Sequence, residues 1–252
     1  MEPNKSRTQM AREIKAAIVR ESTVPFCKIS LTNEDCTVFD SKVGGLPYLP
    51  RGEQLPVGSD GNPLPLLAQI NCEKLPALKD FPRKGMLQFF LNEADWRVVY
   101  HPEINAEIDM VEDTGENGVA EGEYKMHFAL SEEGLTVGDF RFEREFLERW
   151  REIFPDEQPE SIYRLRNVPN TVFYDNDSEE YGKHKIGGYA YFTQTDPRHD
   201  DTYDTLLFQL DTDMHDDVYV MYGDSGVIHF FINREALKNL DFSDVLWHGD
   251  CC

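Results

Sequence analysis

Apolar positions along the chain follow two periods. Between Ser6 and Arg20, Met10, Ile14, Ala17 and Ile18 recur at helical spacing, while Arg12, Lys15 and Arg20 lie outside that stripe. This pattern predicts an amphipathic helix that Pro25 prevents from continuing. A second helix is predicted from Phe140 to Phe154, with Phe142, Phe146, Leu147, Trp150 and Phe154 on one face and Pro155 behind it. The other apolar runs are short and strand-like: Leu66–Asn71, Met86–Leu91, Trp96–Tyr100, Tyr124–Leu130, Thr171–Tyr174, Ile186–Thr193, Thr205–Leu210, Tyr219–Tyr222 and Val227–Asn233. Pro50 to Pro65 is rich in Pro and Gly and reads as a loop, and Arg234 to Asn239 as a short helical turn.

Three blocks occur twice in the same order. Lys42-Val43-Gly44-Gly45-Leu46-Pro47-Tyr48 matches Lys185-Ile186-Gly187-Gly188-Tyr189-Ala190-Tyr191, and Leu66-Leu67-Ala68-Gln69-Ile70-Asn71 matches Leu206-Leu207-Phe208-Gln209-Leu210-Asp211. Gly85-Met86-Leu87-Gln88-Phe89-Phe90-Leu91-Asn92 matches Gly226-Val227-Ile228-His229-Phe230-Phe231-Ile232-Asn233. Gly187 stands 143 residues after Gly44, Gln209 140 after Gln69, and Gly226 141 after Gly85. The expected fold is therefore α+β and internally duplicated, with mostly antiparallel sheets, one helix leading each repeat and a pseudo-two-fold between them. The expected organisation is one domain over 1–252, with repeats at 6–100 and 139–240 and acidic inserted loops at 101–138.

Residue types suggest roles within these blocks. Gly-Gly permits positive φ or a close backbone approach. Phe-Phe sets one ring on each face of a sheet, because side chains alternate. Gln69 and Gln209 sit in apolar strands, where an amide must find partners. Each either ties neighbouring backbone together or lines a cleft. Gln69, Gln209, Gly44, Gly45, Gly187 and Gly188 are accordingly the candidate ligand-binding residues.

Charge narrows the choice of partners. The 252 residues hold 47 Asp and Glu against 25 Lys and Arg, a formal net charge of -22. Such a surface repels nucleic-acid phosphate and anionic membranes and is compatible with a basic protein. Cys27, Cys36, Cys72, Cys251 and Cys252 form no secreted disulfide framework or zinc motif, and the terminal pair lacks the spacing of a prenylation box. Met1–Lys5 lead into no apolar run, so no secretory leader is expected. Reduced thiols and a cytoplasmic location are the plain expectation.

Motifs that carry chemistry are sparse. Gly223-Asp224-Ser225-Gly226 is similar to a serine-protease nucleophile segment, but Val227-Ile228 follows and the matching place in the first half is Pro82-Arg83-Lys84-Gly85, so a tight turn is expected. Asp211-Thr212-Asp213-Met214-His215-Asp216-Asp217 spaces oxygens like a calcium loop but lacks the glycine and glutamate that complete an EF-hand. His199-Asp200-Asp201 is a second His/Asp cluster, and His101-Pro102-Glu103 offers an acid–base pair without a distinguishing context. Cys27 has no matching histidine nearby in sequence and reads as a small core residue. No catalytic residue, metal or cofactor is expected from these patterns.

Taken together, Gly44-Gly45-Leu46-Pro47-Tyr48-Leu49-Pro50, Gly61-x-Pro63-Leu64, Leu66–Asn71, Gly85–Phe90, Val98-Val99-Tyr100 and Gly223-Asp224-x-Gly226 followed by Phe230-Phe231-Ile232 resemble the YwqG-like family of bacterial domains of unknown function. The likeness spans most of the chain and departs at Leu55-Pro56, where the family often has Trp-Pro. It implies an internally duplicated α+β fold and no established activity. Acidic charge and an absent catalytic constellation together favour a non-catalytic protein-binding module, including an acidic immunity- or antidote-type protein for a basic partner. The alternative is a small-ligand or hydrolytic site in the groove between the repeats.

Overall fold

The computed structural model describes residues 5–174 and 184–251, so Met1–Asn4 and Cys252 lie outside it. The first apolar stripe forms helix α1 (Arg7–Glu21), and Ser6 caps it in a reciprocal box with Gln9. The second forms α2 (Phe140–Ile153), capped by Asp139. The described residues form twelve strands: β1 (Val24–Thr32), β2 (Lys42–Val43), β3 (Leu66–Asn71), β4 (Met86–Leu91), β5 (Trp96–His101), β6 (Tyr124–Glu133), β7 (Lys185–Gly187), β8 (Thr205–Asp211), β9 (Asp213–His215), β10 (Val218–Val220), β11 (Val227–Ile232) and β12 (Val245–Asp250). A short helix, α3 (Arg234–Lys238), links the last two, capped by Asn233.

Ten of these strands make one sheet in the order β12-β11-β8-β7-β1-β6-β2-β3-β4-β5, and β9 and β10 form a separate hairpin. Every pairing is antiparallel. The longest ladder, β1 with β6, lies at the centre and aligns Val24–Thr32 with Glu133–Lys125. The sheet curls strongly. Phe89 of β4 lies 4.8 Å from both Phe208 of β8 and Phe230 of β11. The two end strands also meet: Trp96 of β5 stacks on Trp247 of β12 at 5.6 Å, and its indole N–H donates to Val245 O at 3.4 Å. The result is a nearly closed, barrel-like sheet around one large apolar core.

This architecture corrects the expected fold class. The chain is not an α+β pair of repeats, each led by its own helix and related by a two-fold. At the centre of the sheet the strands of the two halves interleave, with β1 between β7 and β6, and β6 between β1 and β2. Separate α+β units are impossible with that pairing. Nor does each helix cover its own half. Ala11, Ile14 and Ile18 of α1 join Phe142, Phe146 and Trp150 of α2 in one cluster, because the aromatic stripe of α2 finds its apolar complement on α1. In chain order α2 follows β6 rather than opening a unit.

Several smaller expectations change for local reasons. Thr171–Tyr174 is not a strand: Asn170–Phe173 is a 3-10 turn that sets Val172 and Phe173 against the helices. The expected Ile186–Thr193 strand shortens to β7, because Gly187 and Gly188, at φ +72° and +71°, turn the chain out of the sheet. Pro25 lies inside β1, opposite Glu132 of β6; β7 pairs with β1 only over Phe26–Lys28, so the proline stands beyond that ladder. The Phe-Phe pairs do divide between faces. Phe89 and Phe230 enter the main core, while Phe90 packs with Leu64 and Leu66, and Phe231 with Ala190 and Leu206, on the other side.

Candidate functional site

The residues singled out by repetition have specific structural partners. Gln69 has no exposed surface. Its Oε1 accepts from Tyr48 N–H at 2.9 Å and from Gln88 Nε2 at 3.2 Å, and its Nε2 donates to Val38 O and Asp40 O at 2.8 Å each. The amide therefore pins the loop over β3 and β4 to the sheet. Gln209 is equally buried, and its Oε1 accepts from Tyr191 N–H at 2.9 Å. The two side chains are not brought together, since β7, β1, β6 and β2 separate their strands.

The Gly-Gly pairs answer to carboxylates that sequence inspection missed. Lys185 is buried and donates to both oxygens of Glu133, at 3.1 and 2.8 Å, and to Tyr189 O at 3.0 Å. Tyr189 N–H adds a third donor to Glu133 at 2.7 Å. A Cβ on Gly188 would overlap Glu133 Oε1. Buried Lys42 likewise pairs with Glu123, and a Cβ on Gly45 would overlap that carboxylate. Gly44 faces the carbonyl of Gly122, which a Cβ would also overlap. So Gly45 and Gly188 make room for the acid that neutralises the lysine three residues earlier. Burial drives the Lys185 ammonium below its usual range and the Glu133 carboxyl above it, each opposed by the other's charge. The available signal was a lysine inside an apolar strand, which needs a buried counter-charge.

The remaining motifs resolve into turns and caps. Gly223 and Ser225 take positive φ in a turn closed by Gly226 N–H to Tyr222 O at 2.8 Å. Asp216 and Asp217, both at positive φ, are the two-residue turn of the β9–β10 hairpin, with His215 opposite Val218. Asp200 caps the 3-10 turn at Asp201–Tyr203. His101 bonds to Gln88 Oε1 at 3.1 Å, and burial lowers its pKa. The thiols of Cys27 and Cys72 are pushed up to about 12 by burial, which excludes them as ready nucleophiles. Among the described residues no group of three or more His, Cys, Asp or Glu is placed to hold a metal ion, and no helix is long and apolar enough to cross a membrane.

Two surface features remain. The first is the connection from β5 to β6. Glu103, Glu107, Asp109, Glu112, Asp113, Glu116, Glu121 and Glu123 lie along it with no Lys or Arg among them, and all but Glu123 are exposed. This segment is held in place. Asp109 N–H donates to Leu49 O at 2.9 Å, and Asp109 Oδ2 accepts from Gly52 N–H at 2.8 Å. Asn105 N–H donates to Tyr48 OH, and Asn117 Nδ2 to Leu66 O, both at 2.8 Å. Met110 stands 78% exposed amid these acids. Gly45 lies against the same segment, in a shallow depression shared with Asp113 and Glu116.

The second feature is a cleft of about 500 Å³ lined by Lys28, Ser30, His127, His184, Asp213 and His215, with Ile29, Phe128 and Ala129 as apolar wall. His184 Nδ1 accepts from Asp211 N–H at 3.1 Å, which leaves its proton on Nε2 for Asp213 Oδ2, also at 3.1 Å. The other Asp213 oxygen contacts His215 Nδ1. Burial alone would raise the Asp213 pKa, but the two imidazole contacts outweigh it and hold the group as a carboxylate.

Comparison with known proteins places the chain without assigning it an activity. No curated protein matches the sequence. The family described as Domain of unknown function (DUF1963) matches residues 41–251, so the chain belongs to that family.

Proposed function

We propose that the protein is a non-catalytic binding module whose acidic surface takes a basic protein partner. The β5–β6 segment carries the proposal. Its eight acids without an intervening base form a concentrated part of the -22 charge. Among the described residues two cations form ion pairs with it: buried Lys42 with Glu123 at its end, and Arg51 with Glu107 at 3.4 Å, where both side chains are exposed. Exposed pairs of that kind are worth about 1 kcal/mol or less and yield readily to a competing cation. Because hydrogen bonds already fix the backbone, little ordering entropy would be lost on docking. Met110 supplies an apolar contact at the centre. An immunity- or antidote-type protein is the sharpest form of this proposal. A cytoplasmic location is part of this reading. A site built on Gln69 and Gln209 draws no support from the geometry, since neither has exposed surface.

The test compares two baits in native lysate, the wild-type protein and the triple variant Glu112→Lys/Asp113→Lys/Glu116→Lys. The expected result is a basic protein that wild type retains at low salt, that the variant loses, and whose purified complex associates more slowly as salt rises. If no basic protein distinguishes the two baits, the proposal is wrong.

A further inference from the structure

We propose that the cleft between β1, β6 and β9 binds a small organic oxyanion, a carboxylate or phosphate monoester carried on an apolar body. Four observations converge on this chemistry. At about 500 Å³ the cleft has the size of a small-molecule site. The ammonium of Lys28, a half-buried residue on its wall, makes no hydrogen bond or ion pair among the described residues. That is anomalous in a chain with 47 acids and 25 basic residues. The buried cations Lys42, Lys185 and Arg198 all have carboxylates. Among the described residues the cleft therefore presents an ammonium with no carboxylate in contact, because the Asp213 carboxylate of the same lining is taken by the two imidazoles.

His215 adds a second polar group. Its Nδ1 is taken by Asp213, and its Nε2 has no partner among the described residues. A carboxylate on one ring nitrogen fixes the orientation of the ring, and with both ring nitrogens protonated the Nε2–H donates to an oxyanion. Asp213 itself is not free to take a cation, because His184 and His215 occupy its two oxygens. His127 is held similarly by Glu34 and Thr32, at 3.1 Å from each. The exposed Ser30 hydroxyl supplies a neutral donor, and the partly buried Phe128 and the exposed Ala129 offer apolar surface for the ligand body. A charged head facing Lys28 and His215, with a hydrophobic remainder, matches this lining. The site is separate from the acidic β5–β6 segment, so it stands or falls independently of the partner proposed for that surface.

Benzoate and phenyl phosphate are suitable probes, with benzylamine as the cationic counterpart, in calorimetric titrations of the full chain. Saturable binding of at least one anion is expected, with phenyl phosphate alone indicating a phosphate monoester and benzoate alone a carboxylate. Lys28→Met and His215→Gln should each weaken it roughly ten-fold or more, the loss of one charge-assisted hydrogen bond. Lys238→Met, on α3 and absent from the cleft lining, should leave it unchanged. Unchanged thermal midpoints for the cleft variants would show that the fold is intact. The proposal is overturned if neither anion saturates, if benzylamine binds as well as the anions, or if folded Lys28→Met binds like wild type.

Discussion

His229 illustrates how one buried side chain can set a property of the whole chain. It has no exposed surface, its Nε2 donates to Tyr191 O at 2.6 Å, and its Nδ1 has no hydrogen-bond partner among the described residues. Burial is the main cause that lowers its pKa from 6.5 to about 3; the Tyr191 carbonyl opposes this, while the neighbouring His248 and Arg198 add to it. The unfolded chain therefore takes up a proton near pH 6.5 that the folded chain refuses until about pH 3. Stability from this group is full above that window and falls with pH inside it, by up to about 1.4 kcal/mol per unit. Gln88, in the matching sequence block, makes the corresponding bond without titrating: its Nε2 donates to Tyr48 O at 2.8 Å. His229→Gln should therefore keep the bond and flatten the acid side of the stability profile. Urea midpoints from pH 7 to pH 4 check this; parallel profiles for variant and wild type would refute it. The sequence match between Gln88 and His229 was legible, but burial and its consequence for the proton were not, because they depend on the loop that covers β11.

The segments entering β2 and β7 show where legibility stops at the level of elements. Lysine and the two glycines are visible in sequence, and positive φ at Gly44, Gly45, Gly187 and Gly188 follows from residue type. Their purpose is not visible, since the acids lie 81 and 52 residues away in chain distance, in or beside β6. The chain before β6 has the composition of loops, and no local pattern marks Glu133 as buried. Gly188→Ala would place a Cβ on the carboxylate at a φ that L-residues resist. The strain alone is worth about 1–2 kcal/mol, and a displaced Glu133 would leave Lys185 uncompensated, at about 3–5 kcal/mol. Gly187→Ala, whose Cβ would meet only Phe81 and Leu78 at ordinary distances, should incur the strain alone. Urea denaturation of both variants should rank Gly188→Ala as the more damaging by at least about 2 kcal/mol. Equal losses would mean that the carboxylate cradle contributes nothing beyond backbone conformation.

Across the whole molecule, antiparallel pairing was foreseeable from short apolar runs without alternating helices, whereas closure of the sheet was not. β1 and β12 were missed as strands. Without them the matched blocks suggest two separate sheets; with them, the β1–β6 ladder makes one sheet of ten. A sheet that long has two exposed ends, and open strand edges invite pairing with other chains. Here curvature brings β5 and β12 together, and the Trp96–Trp247 stack at 5.6 Å is their aromatic contact. If the two ends hold each other, the tryptophans must be energetically coupled. Trp96→Ala and Trp247→Ala should then be non-additive, with a coupling of about 0.5–1.5 kcal/mol in a double-mutant cycle. Each single variant should also release its end of the sheet, seen as faster amide exchange in the β4–β5 and β11–β12 ladders than at the β1–β6 centre. Additive losses with unchanged exchange would mean that the ends are held apart from one another and that the core alone sets the curvature. Coupling with selective exchange would assign the closure to this pair, because no backbone ladder joins β5 to β12.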